Sequence, residues 1–155
     1  MKKTLFNAVI SLSFIFLTGV LVQTNAQSIS GSIGTVKRGG AATATVVMDI
    51  PGGLHVNSNR PGSEFAIPTA IKASAPGAKL SAIRYPRGKN RKLSFSEDTI
   101  NVYEGRAVFT FNVTVPANFK GNAVKVRVVV RSQACTDEVC YPPKNKEVTL
   151  TAKVS

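Results

Sequence analysis

Apolar and polar residues alternate along several segments of the chain, with the period of two that is typical of β-strands with one buried face. The strongest segments of this kind are residues 43–48, 107–115, 124–130 and 147–154, and weaker ones are residues 29–36, 69–74 and 79–85. Turn-forming clusters such as Pro51-Gly52-Gly53 and Lys120-Gly121-Asn122 separate them. No segment shows the periodic apolar stripe of an amphipathic helix.

This spacing of short strands and turns predicts the fold class. Seven or more such segments within residues 27–155 are typical of an antiparallel sandwich of immunoglobulin-like type. Two usual marks of immunoglobulin domains are missing, because the chain has no Trp and its cysteines are too close in sequence to join two sheets. The prediction is an all-β, immunoglobulin-like antiparallel β-sandwich.

The N-terminal segment has the pattern of an export signal. Lys2 and Lys3 precede an apolar run at residues 5–22, and Thr24-Asn25-Ala26 offers a cleavage site of small residues. A membrane anchor is the alternative, but polar residues dilute the run and no basic cluster follows it. We predict a signal peptide at residues 1–26, cleavage after Ala26, and one exported domain at residues 27–155 that does not span a membrane after cleavage.

The chain is strongly basic, with a formal net charge of +12 at pH 7. Its basic residues are scattered, and the only dense group comprises Arg84, Arg87, Lys89, Arg91 and Lys92. Since export separates the chain from cytoplasmic nucleic acid, we predict no nucleic-acid partner. Attraction to an acidic envelope surface or an acidic partner stays open for the dense group.

The only two cysteines, Cys135 and Cys140, are separated by four residues. A disulfide that closes so small a ring stabilises the fold by roughly 2 kcal/mol, less than a bridge between distant strands. If the two cysteines face each other across the mouth of a hairpin, their Cα atoms lie about 4.5–5.5 Å apart, and the bridge can form and open without moving the fold. Two functions stay open from spacing alone, namely thiol chemistry and a structural staple.

Pro142 and Pro143 follow the second cysteine and fix the chain in an extended path. This stiffness favours a preorganised pair of sulfurs. The spacing of the cysteines differs from the thioredoxin-type motif, and His55 is the only histidine in the chain. We therefore predict no metal site and no cofactor.

Residues 131–143, which contain both cysteines followed by Tyr141-Pro142-Pro143, resemble the N-terminal periplasmic domain of the thiol:disulfide interchange protein DsbD. The similarity extends to residues 53–57, 67–69, 85–88 and 102–105, and so covers most of the chain after the signal. The resemblance implies an immunoglobulin-like sandwich that accepts electrons from a thioredoxin-like partner and reduces periplasmic thiol-disulfide proteins.

The resemblance also implies roles for individual residues. Cys140 would form mixed disulfides with partners, and Cys135 would resolve them. Phe95, on a segment at residues 89–98, would cover the two sulfurs, although ordinary core packing of its ring is an equal alternative. The remaining flanking residues are His55, Asn57, Tyr141 and Pro142. In better-known members of the family, aromatic residues occupy the positions of His55 and Asn57. Here the two polar side chains would either form hydrogen bonds near the sulfurs or satisfy the end of a strand.

The predicted function is periplasmic thiol:disulfide interchange, as a protein-disulfide reductase or electron relay between thioredoxin-like partners. The family's membrane segment and its thioredoxin-like domain have no counterpart in this sequence, so a membrane-embedded electron donor is expected on another polypeptide. The alternative, from a different class, is an exported binding or structural sandwich with an inert hairpin disulfide. The sequence leaves the donor, the client and the direction of electron flow open.

Overall fold

The computed structural model describes residues 26–94 and 96–155. Residues 1–25 of the signal peptide predicted at residues 1–26, and the predicted cap residue Phe95, therefore lie outside the described residues. Within the described ranges the regular elements are strands, and no helix occurs. The strands are β1 (Ser28–Ile33), β2 (Ala41–Asp49), β3 (His55–Asn57), β4 (Ala70–Ser74), β5 (Lys79–Leu80), β6 (Lys89–Lys92), β7 (Thr99–Tyr103), β8 (Arg106–Thr114), β9 (Ala123–Ser132), β10 (Ala134–Cys135) and β11 (Lys144–Lys153).

The strands form three sheets in which all strand pairs are antiparallel. The first sheet has the order β1-β2-β8-β5, and the second has the order β11-β9-β4. Buried residues alternate with exposed ones along β8 and β9, as a strand with one face in the core requires. The buried side chains of both sheets meet in one core that includes Met48, Phe109, Phe111, Val126 and Leu150. This arrangement is the predicted immunoglobulin-like β-sandwich.

The third sheet has the order β10-β3-β7-β6 and carries one of the cysteines. One face joins the main core through Val56, Tyr103 and Ala134. On its other face Val102 belongs to a second, smaller cluster with Ala66, Leu93 and Ile100. The third sheet is therefore covered on both faces, which fixes the strands that hold the site.

The four strongest strand predictions are confirmed, since they correspond to β2, β8, β9 and β11. The weaker prediction at residues 79–85 is too long, because regular pairing covers only Lys79–Leu80 and Arg84 forms an isolated bridge with Thr110. The strands of the third sheet were not predicted as strands. No helix among the described residues is long and apolar enough to cross a bilayer.

Candidate functional site

The two cysteines form a disulfide across the mouth of a hairpin, as the spacing allowed. Cys135 ends β10, and Cys140 pairs with it in an isolated antiparallel bridge. The two Cα atoms lie 4.0 Å apart, somewhat closer than the predicted range, and the sulfurs are 2.01 Å apart. Backbone hydrogen bonds flank the pair on both sides, from Tyr141 N to Ala134 O at 2.9 Å and from Thr136 N to Val139 O at 2.8 Å. The cysteines thus occupy the narrow, non-hydrogen-bonded pair of the hairpin, where opposite side chains lie closest.

The hairpin loop is closed by hydrogen bonds as well as by the disulfide. The Thr136 hydroxyl oxygen accepts hydrogen bonds from the backbone amides of Glu138 at 3.2 Å and Val139 at 3.1 Å. Such a turn is a local alternative to regular pairing and is available to Thr in this position. Ser94 Oγ donates a 2.6 Å hydrogen bond to Asp137 O, which ties the loop tip to the segment after β6. The loop geometry therefore does not depend on the S–S bond alone.

The two cysteines differ in their access to solvent. Cys135 is 0% exposed. Cys140 is partly exposed and lines a groove of about 540 Å³, whose other walls include Asn57, Phe65, Ile100 and Gln133. A partner in solution can approach the disulfide only from the Cys140 side.

Exposed apolar side chains surround the accessible cysteine. Phe65 is 85% exposed and lines the groove with Cys140. Val139 and Tyr141, the chain neighbours of Cys140, are 51% and 46% exposed, and Pro142 is also exposed. Apolar side chains grouped in this way around an accessible reactive atom are typical of surfaces that contact other proteins.

His55 lies beside the buried cysteine. It is the cross-strand partner of Cys135 in the pairing of β3 with β10, and it is only 2% exposed. Burial lowers the pKa of His55 from its ordinary value of 6.5, while the carboxylates of Asp137 and Glu104 oppose that shift and Arg91 supports it. The imidazole is therefore neutral at pH 7. Its Nε2 atom is buried and has no hydrogen-bond partner among the described residues.

Asn57 and Gln133 form a polar connection along the wall of the groove. The Asn57 amide nitrogen donates to Gln133 Oε1 at 3.0 Å and to Ile67 O at 3.2 Å. Gln133 Nε2 donates in turn to Tyr141 O at 3.2 Å, and so joins the strand before the hairpin to the chain after it. Asn57 Oδ1 is buried, and no residue in the described ranges forms a hydrogen bond with it. Sequence reasoning did not single out Gln133, and its only signal was its place two residues before Cys135.

Charged residues cover the side of the site that carries β6. Arg91 Nε lies 3.1 Å from Glu104 Oε1, Arg91 Nη2 lies 3.8 Å from Asp137 Oδ1, and Lys89 Nζ lies 3.5 Å from Glu104 Oε2. Each pair has at least one exposed member, although Glu104 itself is partly buried, so each contributes about 1 kcal/mol or less. Two members of the dense basic group thus have acidic partners beside the cysteine hairpin.

Among the described residues, no group of three or more His, Cys, Asp and Glu side chains is arranged to hold a metal ion. Of the residues proposed from sequence, Cys135, Cys140, His55, Asn57, Tyr141 and Pro142 all lie at or beside the hairpin or the strand paired with it. The covering role of Phe95 stays a prediction.

Fold and site together define a class of protein, an immunoglobulin-like β-sandwich with a disulfide across one hairpin. The sequence profile for the N-terminal region of the thiol:disulfide interchange protein DsbD matches residues 28–152. The chain belongs to this family of thiol:disulfide interchange domains. A comparison with curated proteins gave no match.

The solved structures that are similar to this chain include two N-terminal domains of other proteins. The N-terminal periplasmic domain of ScsB from Proteus mirabilis is 12% identical with a TM-score of 0.57, over 86% of this chain and 49% of that one. This chain therefore spans about half the length of the ScsB chain. The reduced N-terminal domain of DsbD from Neisseria meningitidis is 20% identical with a TM-score of 0.47, over 71% of this chain and 77% of that one. The ScsB likeness supports the fold.

Proposed function

We propose that this protein passes electrons between thioredoxin-like partners through the Cys135–Cys140 disulfide. The observation that carries the proposal is the difference in exposure, since Cys140 opens onto a groove while Cys135 is buried directly behind it. Membership of the DsbD N-terminal family supports the same chemistry. A pair in which one sulfur meets the partner and the other waits behind it suits exchange through a mixed disulfide.

The reaction follows from this geometry. A thiolate of a reduced partner attacks Cys140 Sγ, the S–S bond breaks, and Cys135 Sγ leaves with the electron pair. The second thiol of the partner then attacks the partner's other sulfur, the one bonded to Cys140 in the mixed disulfide, and releases Cys140. The partner leaves as a disulfide, and its two thiol protons end on Cys135 and Cys140. The reverse sequence, with an oxidised client, returns the pair to the disulfide.

The surroundings of the pair suit repeated opening. The hairpin keeps its two backbone hydrogen bonds and the Thr136 turn when the S–S bond is broken, because none of them uses a sulfur atom. The exposed side chains of Phe65, Val139 and Tyr141 offer an apolar surface on which the partner protein can rest. Reduction therefore requires little rearrangement.

The partners and the compartment belong to the same proposal. We place the protein in the periplasm, with a membrane-embedded electron donor on another polypeptide and thioredoxin-like clients. Family membership supports this assignment, as does the description of the ScsB domain as periplasmic.

The order of attack can be tested by trapping. In a Cys135→Ser variant the resolving thiol is gone, so an oxidised thioredoxin-like client, whose disulfide the Cys140 thiolate attacks, should remain joined to Cys140 as a mixed disulfide. The Cys140→Ser variant is the matched control, and it should trap little because Cys135 is buried. The measurement is the amount of covalent complex on a non-reducing gel. Equal trapping by both variants, or more trapping by Cys140→Ser, contradicts the assignment.

One observation favours the second candidate, an inert structural disulfide. The complete burial of Cys135 is also what a staple of the hairpin needs. The reduction potential separates the two functions, because structural disulfides have potentials below about −300 mV. A higher potential supports interchange, and a lower one supports the staple.

A further inference from the structure

The buried histidine beside Cys135 has a polar atom that the oxidised protein leaves unpaired. His55 and Cys135 are direct cross-strand partners, so their side chains lie on the same face of the sheet with Cβ atoms about 4.5–5.5 Å apart. Both residues are almost completely buried, at 2% and 0% exposure. Within the part of the chain that the structure describes, the Nε2 atom of His55 has no hydrogen-bond partner. An unpaired buried nitrogen costs free energy and calls for an explanation.

The redox state of Cys135 supplies that explanation. A disulfide sulfur has no hydrogen to donate, whereas a thiol has one S–H donor. Reduction therefore creates a new buried donor on the residue that is the cross-strand partner of His55. The buried thiol also needs a partner, because it is as far from water as the imidazole.

We propose that His55 is a positioning residue of the redox pair, whose Nε2 accepts a hydrogen bond from the Cys135 thiol in the reduced protein. The inference rests on the proposed function and extends it. A partner dithiol supplies two electrons and two protons, the S–S bond breaks, and each cysteine sulfur takes one proton. His55 holds the proton of Cys135 in place and so stabilises the reduced form over the disulfide.

The charges around His55 are compatible with a neutral acceptor. Asp137 faces it from the hairpin loop, Glu104 from the end of β7 and Arg91 from β6. Arg91 lies within ion-pair distance of both carboxylates, which offsets their pull on a histidine proton. The imidazole therefore keeps a free lone pair at pH 7, as acceptance of an S–H donor requires.

The exchange equilibrium with glutathione tests the energetic consequence. In His55→Leu the reduced form loses its hydrogen bond, and the equilibrium constant should shift toward the disulfide by about tenfold, or about 30 mV for this two-electron couple. His55→Gln retains a carbonyl acceptor and should lie between Leu and the wild type. Val128→Ala on β9 is the control, since it removes core packing far from the site and should leave the constant unchanged. An unchanged constant in His55→Leu overturns the proposal.

A second measurement uses the wild-type protein and does not depend on whether a variant folds. His55 is the only histidine, so the imidazole nitrogens of one residue give one set of NMR signals. Reduction by dithiothreitol should shift the Nε2 signal as the hydrogen bond forms, and an unaltered signal overturns the proposal. Neither measurement uses a thioredoxin-like partner. Failure of a partner to reduce the protein therefore counts against the proposed function. An exchange constant that does not depend on His55, or an Nε2 signal that does not respond to reduction, counts against this inference alone.

Discussion

Cys135 and Cys140 are five positions apart in the chain, yet the fold gives them different surroundings. Cys135 belongs to a strand of the third sheet and is closed off by it, whereas Cys140 lies at the rim of the groove. This difference lets one sulfur meet a partner while the other stays protected. In the proposed mechanism, specificity for the attacked sulfur thus comes from burial and needs no difference in intrinsic reactivity.

His55 should make the stability of the protein depend on pH in a defined window. The folded protein holds a neutral imidazole with a lowered pKa, whereas the unfolded chain binds a proton below its ordinary value of 6.5. The unfolded state therefore gains protons first, and the free energy of unfolding should fall as the pH drops from 7 through 6.5, until the folded-state pKa is passed. Urea unfolding at pH 7.5, 6.5 and 5.5 measures this fall.

The matched control for this pH dependence is His55→Gln, which cannot titrate. Its unfolding free energy should stay level between pH 7.5 and 5.5. Glu147, whose pKa is lowered by its hydrogen bond with Arg127, acts only below its ordinary value of 4.5, and so lies outside the window. A wild-type protein with level stability in this window contradicts the burial of a neutral imidazole.

At the scale of elements, the hairpin is preorganised by Thr136. Its hydroxyl oxygen accepts two amide hydrogen bonds across the loop, so the two thiols should stay close together after reduction. Closeness of reacting groups raises their effective concentration and favours ring closure. Thr136→Val keeps the shape of the side chain without the acceptor, and should shift the exchange equilibrium with glutathione several-fold toward the dithiol.

Thr136→Ser retains the hydroxyl group and is the matched control. It should behave like the wild type in the same glutathione titration. If the Thr136→Val and Thr136→Ser variants have equal equilibrium constants for exchange with glutathione, the turn does not contribute to the pairing of the cysteines.

The start of β6 depends on a close approach of the preceding residue, Gly88, to β7. Gly88 passes so near β7 that an added Cβ would overlap Asn101 Oδ1 and lie 3.0 Å from Val102 O. Only glycine lets the chain run this closely into β6. This path of the chain through Gly88 leads into β6, where Arg91 lies beside Glu104 and Asp137.

At the scale of the whole molecule, the main core and the redox site are separate. The core is built from β2, β8, β9 and β11, together with one face of the third sheet, and neither cysteine belongs to it. Reduction should therefore lower the free energy of unfolding by no more than the roughly 2 kcal/mol expected for so small a ring. Urea unfolding of the oxidised and reduced proteins at pH 7.5 measures the difference.

Cooperative unfolding in both redox states is part of this expectation. A reduced protein that lost its cooperative transition would show that the disulfide holds the fold, and would favour the structural alternative over interchange. The difference in unfolding free energy between the two redox states and the cooperativity of each unfolding transition are thus separate outcomes of one experiment.

The sequence by itself determined the sandwich. Long segments such as β8 and β9 each bury one face, so the alternation of Val and Phe with mostly polar residues identified them without knowledge of their neighbours. The spacing of Cys135 and Cys140 likewise allowed the hairpin disulfide, because a loop of four residues brings its flanking positions together.

The sheet that holds the site depends on long-range contacts, which the sequence pattern does not reveal. β6 is Lys-Asn-Arg-Lys and exposed throughout, β3 is buried on both faces, and β10 has two residues, so none of them shows a period of two. These short strands exist because β7 and the main core hold them in place. The same contacts bury Cys135 beside His55 and leave Cys140 at the groove. Alternation along a chain reports a strand with one buried face, and it carries no signal for strands whose burial is set by segments distant in sequence.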